Sequence, residues 1–397
     1  MELYILNANY EPVALIDEAD SILWDKKYND IGECEVYTPC NEQMLALLQK
    51  GNYVYRYDDD MFCKIEKIEI ETDEENGDYI IATATDGFNI LAGRIVRWQI
   101  VHSGTVAEFI KRVLTDNVIN PAQGQRAIPN FEIDTSNFAE LKDTIDISVL
   151  GDDIAQLIIT TCKTYNYGFR LSYNIQTQKL VFRLYKGKNK ATTESDEYIE
   201  FSPRYANILS SNYVDDDSNY KNVAYVAYKN EAGETALLSY FVGSTEPQGE
   251  ARREVYVDGT STSRSITKEE LTAMFPDVKH SGVTYPYYIE VNGKTIIVAK
   301  SEGAEQNEKI TVTDYTYLLL IRRIAQNTLA ERVKTQTFEG NVDTIDTYIY
   351  KQDYDLGDVV RVINEYGIEA QAQITAIIES EDNEDGLVIE PTFEYIN

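Results

Sequence analysis

The residues best suited to acid–base or nucleophilic catalysis are two histidines, His102 and His280, the only ones in the chain. Nucleophilic catalysis needs a base beside its nucleophile, and histidine is the side chain that most often supplies it near neutral pH. His102 follows an apolar segment and His280 lies in a polar turn, and neither is part of a recognisable catalytic motif. We therefore predict no catalytic role for either histidine.

Metal chemistry finds no better support in the sequence. The cysteines lie at positions 34, 40, 63 and 162, a spacing that matches neither a zinc site nor a redox motif, so reduced cysteines are expected. The acidic runs Asp215–Asp217 and Asp382–Gly386 lack the ligand spacing of a calcium loop and are interpreted as solvated turns. We predict no catalytic, cofactor-binding or metal-binding residues. A carboxylate pair for glycan hydrolysis is defined only by distance in three dimensions, so that alternative stays open.

The composition limits the partners of the chain. Its 397 residues include 36 Lys and Arg and 67 Asp and Glu, which gives a formal net charge of −31. This negative field repels phosphate, so no specific nucleic-acid binding is expected, although DNA could slide past such a surface. No stretch is long and apolar enough to predict a membrane span, and no secretory signal precedes the first strand. The 30 tyrosines favour strands and interfaces.

A repeated strand unit is the main organising feature. Three strands and two turns are predicted from Gly51 to Ile81 and again from Tyr354 to Tyr395. Matching residues give the offset between the copies: 306 positions for Gly51 and Gly357, and 309 for Ile65 and Ile374 as well as for Gly77 and Gly386. A three-residue difference in the first turn accounts for the change of offset. The pattern therefore predicts a duplicated β unit.

The remaining elements suggest inserts between the two copies. Apolar residues at helical spacing predict helices over 106–114 and 148–165, and the first is capped by Ser103 or Thr105. We predict an α+β, mainly β chain with two similar β-barrel domains and two α+β inserted domains. The predicted boundaries are 1–100 for the first barrel, 101–204 for an α+β insert, 205–265 for strands that link or complete the barrels, 266–337 for a second α+β insert, and 338–397 for the second barrel.

Several segments resemble the baseplate hub proteins of siphophages, which are also described as tail-associated or tail-tip proteins. The pattern Tyr28–Glu33 before a strand and the segment Leu91–Arg97 are similar to that family. So are the helix, hairpin and basic turn at 154–188, the segment Asn219–Val223, and Leu356–Val359 with its following strands. The resemblance extends over nearly the whole chain.

The resemblance implies a structural protein of the virion. Hubs of that family are trimers in which two similar barrels per chain form a ring of six, joining a six-fold tail tube to a three-fold tip. The implied partners are two further copies of the chain, the distal tail protein ring, the tail tube or tape-measure protein, and other baseplate or receptor-binding proteins. Assembly in the host cytoplasm and residence at the phage tail tip are expected, with DNA passing through the ring.

Two other functions stay open at this stage. Some relatives carry a peptidoglycan hydrolase, whereas this sequence stops soon after the late strand unit, so we expect any lytic activity on another chain. A cell-wall-degrading enzyme that uses carboxylates is one alternative. A glycan-binding tip protein that uses exposed tyrosines is the other.

Overall fold

A computed structural model describes the chain apart from residues 18, 74–76, 193–196, 206, 208–209, 281, 283–285, 292, 301–308, 342–347, 365, 368, 384–385 and 396–397. The described residues form a mainly β protein with several sheets and a smaller helical part. The prediction of a mainly β, α+β chain is confirmed.

The first hundred residues and the first insert contain these elements in chain order. The N-terminal strands and helix are β1 (Leu3–Leu6), β2 (Pro12–Ile16), β3 (Ser21–Lys27), β4 (Glu33–Pro39), α1 (Glu42–Leu47), β5 (Tyr53–Tyr55), β6 (Phe62–Asp73) and β7 (Gly77–Asp86). They are followed by β8 (Ile100–Thr105), α2 (Val106–Leu114), β9 (Phe131–Asp134), β10 (Thr144–Val149), α3 (Ile154–Tyr165), β11 (Gly168–Asn174), β12 (Lys179–Tyr185) and β13 (Glu200–Phe201).

The second half continues in the same mixed pattern. Its middle part holds β14 (Ser210–Asp216), β15 (Val223–Lys229), β16 (Thr235–Phe241), β17 (Glu254–Asp258), β18 (Ser265–Ile266), α4 (Lys268–Met274), β19 (Tyr287–Val291), β20 (Lys294–Ala299), β21 (Ile310–Thr311) and α5 (Asp314–Ala330). The last elements are β22 (Thr335–Asn341), β23 (Val359–Ile363), β24 (Glu369–Asp382) and β25 (Gly386–Tyr395).

Thirteen strands from both ends of the chain form one large sheet. Its order is β14-β22-β25-β24-β3-β4-β7-β6-β5-β1-β2, with β23 paired to β24 and β13 paired to β23. Within the described residues no sheet closes on itself, so the two separate barrels expected from the sequence remain a proposal. Strands from 1–100 and from 338–397 instead lie side by side, and β14, from the predicted linking segment, completes the far end.

The first insert packs two helices against a small sheet. Helix α2 begins where the Thr105 side chain accepts a hydrogen bond from the Glu108 backbone N–H, and its apolar face is buried, including Val106, Phe109 and Ile110. Strands β11 and β12 form the predicted hairpin and carry alternate buried side chains such as Phe169 and Phe182. These residues belong to one continuous core.

The predicted second insert, 266–337, shares a core around α5 with strands of the predicted linking segment, 205–265. Strand β15 pairs with both β16 and β17, so these two strands flank β15. Buried Tyr317, Leu320 and Ile321 of α5 pack into the same apolar cluster as Ala224 and Val226 of β15. Helix α4 starts with a capping box formed by Thr267 and Glu270. Among the described residues the core around α5 is separate from those of the large sheet, whereas the core of the first insert also includes Leu6, Tyr53 and Phe62 from strands of that sheet.

Candidate assembly edges of a duplicated sheet

The large sheet contains two copies of one five-strand unit. The first unit is β3, β4, β5, β6 and β7, and the second is β14, β22, β23, β24 and β25. In each unit the first strand pairs with the second, the second with the fifth, the fifth with the fourth and the fourth with the third, always antiparallel. The duplication predicted from the sequence is therefore confirmed, and it includes two more strands per unit than the pattern revealed.

The irregularities of the two units coincide as well. The register of β6 against β7 shifts after Ile65, and that of β24 against β25 shifts after Ile374, which is 309 positions later. The final strands start at Gly77 and Gly386, also 309 positions apart, and both glycines have positive φ, 92° and 72°. A β-bulge re-aims a strand and is a specific feature of a fold. The shared bulge therefore indicates common ancestry of the units rather than a chance similarity of strands.

The entry into the third strand is also repeated. The backbone N–H of Gly51 donates to the Ile65 carbonyl at 2.9 Å, and that of Gly357 donates to the Ile374 carbonyl at 2.8 Å. The φ angles of these glycines are 94° and 90°, values that side chains with a Cβ rarely adopt. This accounts for the two glycines that anchored the sequence repeat.

The strand at the outer end of each unit aligns residue for residue. The strand registers can be followed outward from the matched hairpins, through β7 and β4 in the first unit and through β25 and β22 in the second. They make Ser21–Lys27 of β3 equivalent to Ser210–Asp216 of β14. Both strands have seven residues. Their sequence offset is 189 rather than 309, because the second insert separates β14 from β22 while β3 runs directly into β4.

The two units are joined head to tail within the chain. Residues Ala376–Asp382 of β24, the fourth strand of the second unit, pair with Lys27–Ser21 of β3, the first strand of the first unit. The joint is antiparallel and seven residue pairs long. Half of its residues are buried, including Trp24 at 0% and Glu379 at 4% exposure. The internal joint thus shows how one unit binds the next.

Buried ion pairs hold this joint together. The Asp59 carboxylate, whose side chain is fully buried, accepts hydrogen bonds from Lys26 Nζ at 2.8 Å and from Lys351 Nζ at 2.9 Å. Burial alone would raise the pKa of Asp59, but the charges of Lys26 and Lys351 outweigh it and hold that pKa well below its usual range. Arg56 Nη2 donates to Glu379 Oε2 at 3.0 Å, and both side chains are almost completely buried.

Each of the two edges that meet in the internal joint occurs once more in the sheet, and there it has no partner among the described strands. On the far side of the first unit, β5 pairs with β6 only over Phe62–Lys64. Residues Lys67–Asp73 pair with β7 on one side, and no described strand pairs with their other side. At the opposite end, β14 is the last described strand and pairs with β22 alone. These two edges are the candidate functional site.

The residues considered for catalysis are not brought together. His102 lies in β8, half-buried, with its Nε2 3.0 Å from the Thr105 carbonyl oxygen, and burial lowers its pKa. His280 stacks on Tyr287 with ring centroids 4.1 Å apart. All four cysteines are free, and those at 34, 63 and 162 are buried. Among the described residues no three His, Cys, Asp or Glu side chains form a group that could hold a metal ion. The run Asp215–Asp217 lies at the end of β14.

A charged cleft of about 700 Å³ opens beside the internal joint. Its buried cations are matched by carboxylates: Arg170 Nη1 lies 2.9 Å from Asp86 Oδ2, and Lys190 Nζ lies 2.9 Å from Asp358 Oδ2. Charges that are already paired in this way position elements rather than activate a nucleophile. These pairs therefore form a framework that ties the first insert to the end of β7 in the first unit and to the start of β23 in the second.

The family of the chain is shown by a match between a protein-family model and almost the whole sequence. The family model for Siphovirus ReqiPepy6 Gp37-like protein matches residues 2–393. The chain belongs to this siphovirus family. The match confirms the siphophage family predicted from the sequence. No curated protein matches the chain.

Solved structures similar to this siphovirus protein include three tail proteins. They are the tail protein from Neisseria meningitidis MC58 (13% identity, TM-score 0.49, covering 99% of this chain and 95% of that one), prophage tail protein gp18 from Listeria monocytogenes EGD-e (13%, 0.46, 99% and 94%), and the 43 kDa tail protein of prophage MuSo2 from Shewanella oneidensis (10%, 0.47, 99% and 98%). None of the helices that the structure describes has the length and apolar character needed to span a bilayer.

Proposed function

We propose that this siphovirus protein is a structural baseplate hub or tail-tip protein, which forms a homotrimeric ring between a six-fold tail tube and a three-fold tip. The observation that carries the proposal is the pair of units with matching strand order and register in one sheet. Three copies of a chain with two like units present six like units. A ring of this kind can face six-fold neighbours on one side and three-fold neighbours on the other.

The head-to-tail joint supports ring closure. Joining the fourth strand of one unit to the first strand of the next is a heterologous contact, which generates a closed ring when the rotation fits and a filament when it does not. Among the described strands this contact occurs once, and one further copy of each edge has no partner strand. In this proposal the first unit belongs to the barrel domain at 1–100, and the second unit combines the barrel domain at 338–397 with β14 from the strands at 205–265, which link or complete the barrels. The segments 101–204 and 266–337 are inserts.

The charge of the protein suits a passage for DNA. A formal net charge of −31 disfavours the counterion release that holds DNA on basic proteins, so a ring of these chains would let DNA pass without retaining it. The proposed partners are the distal tail protein ring, the tail tube or tape-measure protein, and other baseplate or receptor-binding proteins. The proposed location is the tail tip of the virion, after assembly in the host cytoplasm.

Electron microscopy of the purified protein tests this proposal. We expect rings in which class averages show six similar lobes around an opening, with three-fold symmetry in the outer parts that the inserts form. Mixing with the purified distal tail protein should stack the two rings. A population of single chains with no ring, with or without the distal tail protein, would overturn the proposal.

A zymogram on purified cell wall tests the non-enzymatic role. The framework of paired charges predicts no clearing by the protein at any pH from about 4 to 8. Lysozyme in the adjacent lane serves as the positive control. Clearing that is lost on substitution of a carboxylate of this chain would instead establish the cell-wall enzyme as the function.

A further inference from the structure

We infer that residues Lys67–Asp73 of β6 pair antiparallel with Ser210–Asp216 of β14 in a second copy of this chain, in the register of the internal β24–β3 joint. The inference rests on the proposed ring but goes further, because it names the two strands and the residues that lie opposite each other. It starts from the two open edges of the sheet.

Residues at the two edges are more exposed than the equivalent residues in the internal joint. Ile70 of β6 is equivalent to Glu379 of β24, yet Ile70 is 53% exposed and Glu379 only 4%. Tyr213 of β14 is equivalent to Trp24 of β3, and their exposures are 38% and 0%. Two large apolar side chains are therefore exposed at the positions that the internal joint buries.

The direction of Ile70 supports the same reading. Beyond the bulge, Ile68 packs against the core of the first unit, and Ile70 follows it on the same face of β6. In a strand with only one neighbour, the end of that apolar row stays in water. An exposed edge with apolar side chains invites pairing with another chain, and such edges are normally covered or blunted with charge.

The register of the inferred contact is fixed by the register of the internal joint. In that joint Glu379 lies opposite Trp24, and Ala376 lies opposite Lys27. In the inferred contact β6 takes the place of β24, and β14 of the second copy takes the place of β3. Ile70 then lies opposite Tyr213 of the second copy, and Lys67 lies opposite Asp216 of the second copy. An aromatic residue faces a β-branched one, and a cation faces an anion; both are favourable cross-strand pairs. A shift by one residue would move Ile70 away from Tyr213 and turn one of them to the other face.

A second copy of the chain is the occupant that the internal joint indicates. In the internal joint the first strand of one unit fills the edge of the fourth strand of the other, and β14 is a first strand whose outer side has no partner among the described strands. The edges are thus a matched pair carried by the same molecule. Each bound copy presents a fresh edge, so the contact continues until the ring closes.

Engineered disulfides test the register. In a Cys40→Ser background, which removes the partly exposed native thiol, the full chain would carry Ile70→Cys together with Tyr213→Cys. Directly opposed residues have Cβ atoms close enough for a disulfide, whereas a diagonal neighbour is about 7–8 Å away. The matched control combines Ile70→Cys with Ser211→Cys, and each single variant is a further control.

The expected result is a ladder of covalent dimer and trimer from the Ile70–Tyr213 variant on non-reducing gels, with no species above the trimer and little product from the controls. Light scattering on the same samples before oxidation separates two kinds of failure. A trimer without this cross-link, or with equal cross-linking of the Ser211 control, would overturn the inferred joint and leave the ring standing. A monomer in light scattering would overturn the proposed ring and this joint together.

Discussion

Replacing Asp59 by asparagine removes one of the buried charges that tie the two units together. The Asp59 carboxylate lies 2.8 Å from Lys26 Nζ of β3 and 2.9 Å from Lys351 Nζ, which precedes the second unit's third strand. Two unit charges at 2.8 Å attract by roughly 6 kcal/mol at an effective dielectric constant of about 20, before the cost of burying them. Asp59→Asn keeps the shape but leaves buried Lys26 without its nearest countercharge. Removing one partner of a buried pair costs about 3–5 kcal/mol, and we expect a loss of that size.

The pH dependence gives this prediction a second readout. The pKa of Asp59 is lowered in the folded protein from an ordinary value of 3.8. The ionised carboxylate therefore stabilises the fold above that pH, and this stability is lost as the pH falls from about 4 toward the lower folded pKa. Each proton taken up on unfolding changes the free energy of unfolding by about 1.4 kcal/mol per pH unit. Asp59→Asn should remove that contribution and flatten the acid limb of the stability curve.

Urea unfolding followed by tyrosine and tryptophan fluorescence between pH 7 and pH 3 measures both effects. The matched control is Glu132→Gln, which breaks the ion pair with Lys179, a pair whose side chains are 41% and 51% exposed. Such surface pairs are worth at most about 1 kcal/mol. The reasoning is refuted if Asp59→Asn costs no more than Glu132→Gln, or if both variants keep the acid limb of the unaltered protein.

Three further predictions address the repeat and the edges. Gly51→Ala should lower the free energy of unfolding by about 1–2 kcal/mol because Gly51 has a positive φ. Gly357→Ala should lower the free energy of unfolding by clearly more, since the new Cβ would lie 2.2 Å from the buried Tyr28 ring. Equal losses for the two variants in urea unfolding would contradict this prediction. Ile70→Lys should weaken self-association by roughly tenfold or more, about 1.4 kcal/mol, with little change in the stability of the single chain. The control is Ile297→Lys, at a residue that is 48% exposed and lies outside the large sheet. This control should leave self-association unchanged in sedimentation equilibrium. Raising the salt concentration from about 0.02 to 0.5 M should strengthen association, because screening reduces repulsion between chains of charge −31; weaker association at high salt would assign the interface to ion pairs instead.

The sequence revealed the repeat where its residues have a strict backbone role. Gly51, Gly357, Gly77 and Gly386 sit at positive φ, and these positions kept glycine in both copies. The apolar residues of β6 and β24 also keep the offset of 309, because the bulge and the hairpin fix which side chains of these strands face the core. The three strands nearest those glycines were therefore predictable.

The outer strands of the units were not predictable from the sequence. Strand β14 is separated from β22 by the whole second insert, and its residues at the free edge share little with those of β3, where Trp24 and Lys26 are buried in the internal joint. Pairing between distant strands depends on tertiary neighbours, which short strand patterns do not encode. For a similar reason the second helix begins at Ile154 rather than near Ser148, because Ser148 belongs to β10, which pairs with β8.

The mass of the protein in solution tests the central claim most directly. Light scattering during size-exclusion chromatography at micromolar concentration and moderate salt should give three times the 45.2 kDa of one chain, with no higher species as concentration rises. A closed ring of three chains predicts this plateau. A constant mass of one chain, or a mass that grows without limit, would contradict the account.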